Sequence, residues 1–278
     1  MSHPHRTANT TTQPSSRGTL YLVPTPLDFG CQPDQCGPIT DVLPPRTLAV
    51  AAGLTHWITE NAKSTRAFLK RVNVAASLAT PLQAMVMTEL PRDIHKKGDH
   101  HAPAAPSDAV RGWLAPALAG QNIGLVSEAG MPAIADPGSS VVRAAHALGI
   151  QVEVLVGPIS LAMALAGSGL NGQNFAFVGY LPQESGARVT RLRELEQLAQ
   201  KTGQTQLFIE TPYRNAAMLQ AATGALQPNT WLAVSSGLTL PNTPDHNPRR
   251  HRSAPVAQWR KTEHGLDLSL PAVFMVGT

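Results

Sequence analysis

Short apolar runs alternate with helically spaced apolar positions along the first part of this chain. The apolar runs predict strands at residues 19–24, 56–59, 83–89, 122–127 and 151–156. Helical spacing and capping residues predict helices at residues 63–71, 108–118, 139–148 and 160–168. The Pro, Gly and Asp content of residues 24–45 predicts a long loop. This alternation favours a mostly parallel sheet with helices on both faces.

A second group of elements follows Asn171 and Gly172, which are typical of a linker. It comprises predicted strands at 175–180, 206–209 and 231–235, helices at 187–201 and 213–226, a polar and basic loop at 241–255, and a final apolar run at 272–276. We therefore predict an α/β fold in three parts. These are a disordered tail at residues 1–17, an N-terminal α/β domain at 18–171 and a C-terminal α/β domain at 172–278.

The composition excludes several classes of protein. Of the 278 residues, 42% are hydrophobic and 14% are charged, which is too apolar for a disordered chain. No run approaches the roughly 20 apolar residues of a membrane helix, and the N-terminal stretch lacks the apolar segment of a secretory signal. We expect a cytoplasmic protein with no membrane association, in which Cys31 and Cys36 are free thiols.

The charge of the chain bears on its partners. A formal net charge of +4 suits a polyanion such as RNA, although aromatic residues at 5% offer few platforms for stacking bases. The basic side chains that could contact phosphates are Arg188, Arg191, Arg193, Arg249, Arg250, His251 and Arg252. A solvated helix face and a mobile loop explain these residues equally well. His95, His100 and His101 lack partners at metal-ligand spacing, so no metal site is predicted.

Two turns are candidates for ligand binding, because ligands bind beyond the carboxyl ends of the strands in an open parallel sheet. The first turn is SEAGMPAIADPG at residues 127–138, where Asp136 is expected to cap the following helix, and the second is GPIS at residues 157–160. Spacing alone favours ordinary strand-to-helix turns and a cofactor site about equally. Neither turn has the glycine pattern of a dinucleotide or nucleoside triphosphate site.

Five segments in order carry a family resemblance: GTLYLVPTP at residues 18–26, VSEAGMPAIADPG at 126–138, GPISLAMALAGSGL at 157–170, FAFVGYLP at 175–182 and FIETPYR at 208–214. Together they resemble the tetrapyrrole methylase superfamily, most closely its branch of ribosomal RNA small subunit methyltransferase I, which methylates a cytidine ribose 2′-hydroxyl. The resemblance implies a tetrapyrrole-methylase-like fold of two α/β domains, with S-adenosylmethionine in the cleft between them, and a homodimer.

Cofactor contacts follow from the matched motifs. The residues that the resemblance implies are Pro26, Ser127, Glu128, Ala129, Gly130, Gly157, Pro158, Ser160 and Gly179. Backbone groups and the Glu128 carboxylate suit a ligand that carries a carboxylate, an adenine edge and a sulfonium cation. Because the methyl carbon is already activated, alignment and desolvation supply most of the rate enhancement, but a hydroxyl acceptor still calls for a base.

Two carboxylates are candidate catalytic bases, Glu60 and Glu210. The favoured interpretation of Glu60 is a capping carboxylate at the head of helix 63–71. Glu210 and Arg214 equally suit a structural ion pair, being one helical turn apart.

Departures from the family pattern concern the methyl acceptor. Asn61 replaces the second acid of a Glu-Asp pair, residues 27–38 replace a glycine-asparagine step with an insertion, and residues 236–240 read Ser-Gly-Leu-Thr-Leu instead of Arg-Glu-Leu-Thr-Lys. Three hypotheses therefore stay open. They are a 2′-O-methyltransferase of ribosomal RNA or the small ribosomal subunit, a methyltransferase of a small molecule such as a tetrapyrrole, and a non-catalytic cofactor-binding or RNA-binding paralogue.

Overall fold

The computed structural model describes residues 17–28, 30–32, 35–91, 107–242 and 247–278. The predicted tail, apart from Arg17, lies outside these residues, as do His95, His100 and His101. The first sheet is parallel throughout, with the strand order β3-β2-β4-β1-β5. Its strands are β1 (Thr19–Leu22), β2 (His56–Thr59), β3 (Val86–Glu89), β4 (Ile123–Val126) and β5 (Gln151–Val154).

Helices cover both faces of this sheet, as the alternating pattern predicts. They are α1 (Pro45–Gly53), α2 (Ala62–Ala75), α3 (Asp108–Trp113), α4 (Ala115–Leu118) and α5 (Ser139–Ala147). Trp57 on one face packs in a core with α1 and α2, while Ile58 on the other packs with residues of α4 and α5. Adjacent strand residues point to opposite faces, so a strand buried on both sides is apolar throughout, as β4 is.

The second sheet is mixed, with the strand order β6-β7-β10-β8-β9. Its strands are β6 (Phe175–Tyr180), β7 (Thr205–Glu210), β8 (Trp231–Ser236), β9 (His251–Pro255) and β10 (Ala272–Gly277). Only β6 and β7 pair in parallel among the described strands of this sheet. One face packs against α7 (Ser185–Thr202), α8 (Asn215–Ala225) and α9 (Val256–Trp259).

Helix α6 (Ser160–Ser168) packs on the other face of this second sheet. Leu161 and Leu165 of α6 share a core with Leu207 and Met275. A helix that precedes the predicted domain boundary at residues 171 and 172 thus contributes to the second core. That boundary stays a prediction.

Three local predictions were wrong. Helix α1 was not predicted, because its Pro45 and alanine-rich sequence follows a loop composition, although Pro at the first helical position is favourable. The predicted helix at 108–118 is two helices that meet at Leu114, since Pro116 has no N–H to continue the first. The predicted loop at 241–255 ends in strand β9; residues 243–246 lie outside the described part.

Cys31 and Cys36 are free thiols in the structure. Within the described ranges, no helix is long and apolar enough to cross a membrane.

Gly124 of β4 lies directly against Trp57, and a Cβ atom there would stand 2.6 Å from the indole ring. We expect Gly124→Ala to lower the free energy of unfolding by about 1–3 kcal/mol, because the packed ring must move. Urea unfolding monitored by circular dichroism measures the change.

Gly224 of α8 is the matched control, since a Cβ atom there meets nothing within 4 Å. Gly224→Ala should leave stability unchanged or raise it by up to about 1 kcal/mol. Equal effects of the two substitutions would contradict the packing of Gly124 against Trp57.

Candidate active site

The first sheet has a crevice between β1 and β4. After β1 the chain crosses towards β2, and after β4 it crosses towards β5, so these neighbouring strands send their connections in opposite directions. Ligands bind at such a switch point, beyond the carboxyl ends of the strands. The turn at residues 127–138 begins here, directly after β4.

A backbone pairing joins the two loops at this crevice. The Thr25 N–H donates to the Gly130 carbonyl at 2.9 Å, and the Gly130 N–H donates back to the Thr25 carbonyl at 3.1 Å. Gly130 has a φ of 76°, and a Cβ atom there would stand 2.9 Å from the Leu27 side chain. The positive φ therefore favours glycine at this position.

A cleft of about 170 Å³ lies between the two sheets. The apolar wall on the side of the first sheet is formed by Leu27, Ile134 and Ile159. The apolar wall on the side of the second sheet is formed by Leu238 and Leu270. Its polar lining includes Asp136, Ser160, Tyr180, Ser235 and Glu210. A neighbouring pocket shares Ile159 and Leu238 with the cleft and continues past Gly157 and Pro158 to Pro38 and Asp41.

The structure brings the sequence-predicted cofactor residues to this region. Ala129, Gly130 and Ser160 line the cleft, and Gly157 and Pro158 line the neighbouring pocket. The remaining four precede lining residues in the chain: Pro26 precedes Leu27, Ser127 and Glu128 precede Ala129, and Gly179 precedes Tyr180. Their roles as ligands stay a prediction.

Close packing against Pro24 explains why residue 157 is a glycine. A Cβ atom there would stand 2.2 Å from the Pro24 ring and 3.1 Å from the Leu43 side chain. The turn after β5 therefore lies close against the loop after β1, which places Pro158 and Ser160 beside the crevice.

Glu60 does not cap helix α2, so the favoured interpretation of this residue was wrong. The N-cap residue is Asn61, whose side-chain oxygen accepts from the Lys63 N–H at 2.9 Å and the Ser64 N–H at 3.4 Å. Asn caps a helix as well as Asp does, so the helix keeps its N-cap although Asn61 replaces an acid. Glu60 instead accepts a hydrogen bond of 3.1 Å from the Glu128 N–H, which ties it to the turn after β4.

Glu210 lines the cleft and also forms the ion pair with Arg214. Its Oε1 atom accepts from the Arg214 guanidinium at 2.6 and 2.9 Å and from the Thr211 N–H at 2.7 Å. The Glu210 side chain is 1% exposed, and that of Arg214 is 17% exposed. These contacts favour the structural interpretation of Glu210, which anchors the chain after β7.

Asp136 is a site residue that the sequence analysis did not identify as such. It was expected to cap helix α5, but the N-cap position belongs to Gly138, and Asp136 lines the cleft. Burial is the main cause that raises the pKa of Asp136 to about 7. The charge of Glu60 adds to this effect, a hydrogen bond with Ser127 opposes it, and the charge of Glu128 adds a smaller part.

The tertiary neighbours of Asp136 explain why sequence reasoning missed it. Glu60, whose charge raises the Asp136 pKa, follows β2 and is distant in the chain, so periodicity carries no sign of this environment. The backbone of the run Pro132 to Gly138 is unusual in the structure, since Ala133 and Ala135 both adopt positive φ values, 66° and 63°. Non-glycine residues in this conformation cluster at functional sites.

Two of the candidate phosphate-binding arginines serve the fold. Arg252 is buried, donates to the carbonyls of Thr262 and Glu263, and stacks 4.3 Å above the Trp259 ring. Arg250 donates to the Leu240 and Pro241 carbonyls at 3.2 and 2.9 Å. Burial lowers the pKa of both guanidinium groups. These contacts hold the loops beside the cleft and do not favour phosphate binding by this pair.

Residues 50–243 match the family of tetrapyrrole (corrin/porphyrin) methylases. The chain is similar to proteins named ribosomal RNA small subunit methyltransferase I. The Vibrio cholerae protein is 30% identical over 209 residues, 75% of this chain and 61% of that protein. The Xylella fastidiosa protein is 33% identical over 205 residues, 74% and 63% of the two chains. This chain thus spans about three fifths of the length of these relatives.

A similar solved structure is that of a cobalamin biosynthetic enzyme, cobalt precorrin-4 methyltransferase. The TM-score is 0.52 at 14% identity, and the match covers 93% of this chain and 94% of that one. The likeness confirms the predicted tetrapyrrole-methylase-like α/β fold.

The substitution Asp136→Asn tests whether the site has low polarity, because the free energy of unfolding then depends on pH differently in the variant and in the native chain. In the native chain the carboxyl pKa is raised from 3.8 to about 7, so the folded state binds more protons between these values. The stability that this group contributes is present below the lower pKa and is lost as pH rises through the higher one. The free energy of unfolding of Asp136→Asn, measured relative to that of the native chain, should therefore rise by about 2 kcal/mol from about pH 5 to about pH 8.

Urea unfolding at both pH values measures this gain. Asp41→Asn is the control, because Asp41 is an exposed carboxyl group. The same response in both variants would contradict a low-polarity environment at Asp136.

Proposed function

The chain belongs to the tetrapyrrole methylase family, and on that premise we propose that it is an S-adenosylmethionine-dependent methyltransferase. We propose further that it methylates RNA, at a ribose 2′-hydroxyl of small-subunit ribosomal RNA. The observation that carries the proposal is the cleft between the sheets, built on the turn at 127–138 and lined by carboxylates and apolar side chains. The names of the relatives support the RNA acceptor.

The residues present in the cleft fit this cofactor. S-adenosylmethionine carries a sulfonium and an ammonium group, and the Asp136 side chain gives the cleft an acidic group that favours cations. Leu27, Ile134 and Ile159 offer an apolar surface for a base. We propose that the previously named residues from Pro26 to Gly179 hold the cofactor, with Glu128 as the carboxylate of the turn.

When bound, the cofactor supplies a methyl carbon already activated for transfer. The contribution of the chain is then alignment and exclusion of water. The Thr25 and Gly130 pairing holds the turn in place. Thr239 adds a bond across the cleft, since its hydroxyl accepts from the Leu27 N–H at 2.9 Å.

RNA contacts are proposed on helix α7. Arg193 is exposed, Arg191 pairs with Glu194 at 2.9 Å on the exposed face, and Arg188 is partly buried on the same helix. Guanidinium groups contact phosphates without reading bases, so such binding weakens as salt concentration rises.

We also propose that the protein is a cytoplasmic homodimer. Phe175 and Phe177 are 51% and 36% exposed on β6, an edge strand of the second sheet. Val154 is 57% exposed on β5, an edge strand of the first. Exposed apolar edges of this kind are covered in assemblies.

Cofactor binding predicts thermal stabilisation by mass action. At a concentration of S-adenosylmethionine about 100 times Kd, the gain is about 2.7 kcal/mol. For a chain of this size we expect Tm to rise by about 5–10 °C. Differential scanning fluorimetry measures it, and absence of a shift would contradict both methyltransferase hypotheses.

Glu128→Ala should reduce this shift, because it removes the carboxylate of the proposed cofactor turn. Glu153→Ala is the matched control, since Glu153 lies on β5 in a surface ion pair with Arg46 and should leave the shift intact. A loss of equal size in both variants would argue against a cofactor role for Glu128.

Methyl transfer identifies the acceptor. The assay supplies labelled S-adenosylmethionine together with small ribosomal subunits, or with a small-molecule extract, from cells that lack this protein. We expect label in ribosomal RNA that is resistant to alkaline cleavage at one ribose. Label in the small-molecule fraction alone would overturn the RNA acceptor, and cofactor binding without any transfer would favour the non-catalytic paralogue.

A further inference from the structure

Asp136 lies on the side of the cleft that the first sheet provides, in the segment between Met131 and Gly138. We propose that the Asp136 carboxylate is the catalytic base that accepts the proton of the acceptor hydroxyl. This inference rests on the proposed function and adds the identity of a catalytic residue to it. Neither Glu60 nor Glu210, the candidates taken from the sequence, has this role.

The backbone holds Asp136 at the cleft by an unusual local conformation. Ala133 and Ala135 have φ values of 66° and 63°, and Gly138 has a φ of 133°. The Ala133 N–H donates to the Pro137 carbonyl at 3.2 Å and closes the segment into a tight loop. Two non-glycine residues at positive φ cost free energy that packing must offset, so the loop conformation is specified by its surroundings.

Several titratable groups face Asp136 from the elements around it. Glu60 approaches from the end of β2 and Glu128 from the turn after β4. Tyr180 approaches from β6, and burial together with the charge of Asp136 raises the pKa of its phenol. The charge of Glu210 also raises the pKa of this phenol, and the charge of Arg214 lowers it. Negative neighbours and burial together make the Asp136 carboxylate a better proton acceptor than an exposed one.

The proton balance of the step is simple. The O–H bond of the acceptor hydroxyl breaks, and its proton binds a carboxylate oxygen of Asp136. The bond from the acceptor oxygen to the methyl carbon forms as the cofactor's carbon–sulfur bond breaks, with that electron pair staying on sulfur. A base whose pKa lies near the working pH suits this task, because it is ionised before the step and still binds the proton.

The other two carboxylates have contacts that favour positioning. Glu60 accepts from the Glu128 N–H at 3.1 Å and so holds the start of the turn. Glu210 holds Arg214 and the Thr211 N–H through its Oε1 atom. We assign Glu60 and Ser127 as positioning residues that act on Asp136, one through its charge and one through its hydrogen bond.

The first experiment is the pH profile of methyl transfer with saturating S-adenosylmethionine and small ribosomal subunits. The native protein should gain activity with pH through one ionisation near pH 7, the value to which the site raises the Asp136 pKa. Asp136→Asn should lower the rate by about 100-fold to 10,000-fold and remove that ionisation. Glu153→Gln, a surface variant away from the cleft, is the matched control and should keep the native profile.

Substitutions at two residues beside Asp136 give a second test of its titration. Glu60→Gln removes a negative charge that raises the Asp136 pKa, so the midpoint of the profile should move down while transfer persists. Ser127→Ala removes a hydrogen bond that lowers this pKa, so the midpoint should move up. Opposite shifts are expected only if Asp136 is the titrating group.

A readout without catalysis accompanies the assay. Carboxyl carbon NMR of the protein labelled at aspartate, with no cofactor or RNA, should show a resonance that titrates near pH 7 and is missing in Asp136→Asn. Its midpoint should shift in the two neighbouring variants in the same directions as the activity profile.

The outcomes separate this inference from the proposed function. Native methyl transfer together with unchanged transfer by Asp136→Asn would overturn the inference and leave the function standing. Loss of transfer in Glu60→Gln with the cofactor-induced Tm shift intact, together with an unchanged pH profile in Asp136→Asn, would assign the base to Glu60 instead. Loss of the cofactor-induced Tm shift in Asp136→Asn would place Asp136 in cofactor binding. No Tm shift in the native protein would overturn the function, and the inference with it.

Discussion

The cleft depends on the pairing of the Thr25 and Gly130 backbones. These two hydrogen bonds join the loops that leave β1 and β4, the neighbouring strands whose connections run in opposite directions. The positive φ of Gly130 favours glycine at this position. Thr239 then accepts from the Leu27 N–H, so a loop of the second sheet is tied to the same point. A site between two sheets needs such a tie, because each sheet has its own core.

Electrostatics gives this cleft its chemical character. Glu60, Glu128 and Asp136 converge on one turn, and the cost of burying neighbouring carboxylates appears as the raised pKa of Asp136. The same arrangement that opposes folding at neutral pH favours a bound cation and provides a proton acceptor. The Asp136 carboxylate therefore lowers the stability of the fold at neutral pH while it serves the proposed function.

The departures from the family pattern have structural roles near the site. Asn61, which replaces an acid, caps α2. The Arg71 guanidinium donates to the Asp28 carboxylate at 2.8 Å and to the Gly37 carbonyl at 3.2 Å, which ties the inserted loop to α2. Gly37 and Pro38 of the inserted loop line the pocket beside the cleft, and Gly237 lines the cleft itself.

Elements with a local pattern were predicted correctly from the sequence. Helix α6 and strand β6 have the predicted bounds, because apolar spacing and a left-handed Gly169 are read from neighbouring residues. The five motifs in order likewise pointed to the family and to the turn at the cleft. Tertiary structure decided the rest. Strand β9 forms by pairing with β8 across the sheet, and the roles of Glu60 and Asp136 depend on groups distant in the chain. Burial and charge act through space, so no local pattern encodes them.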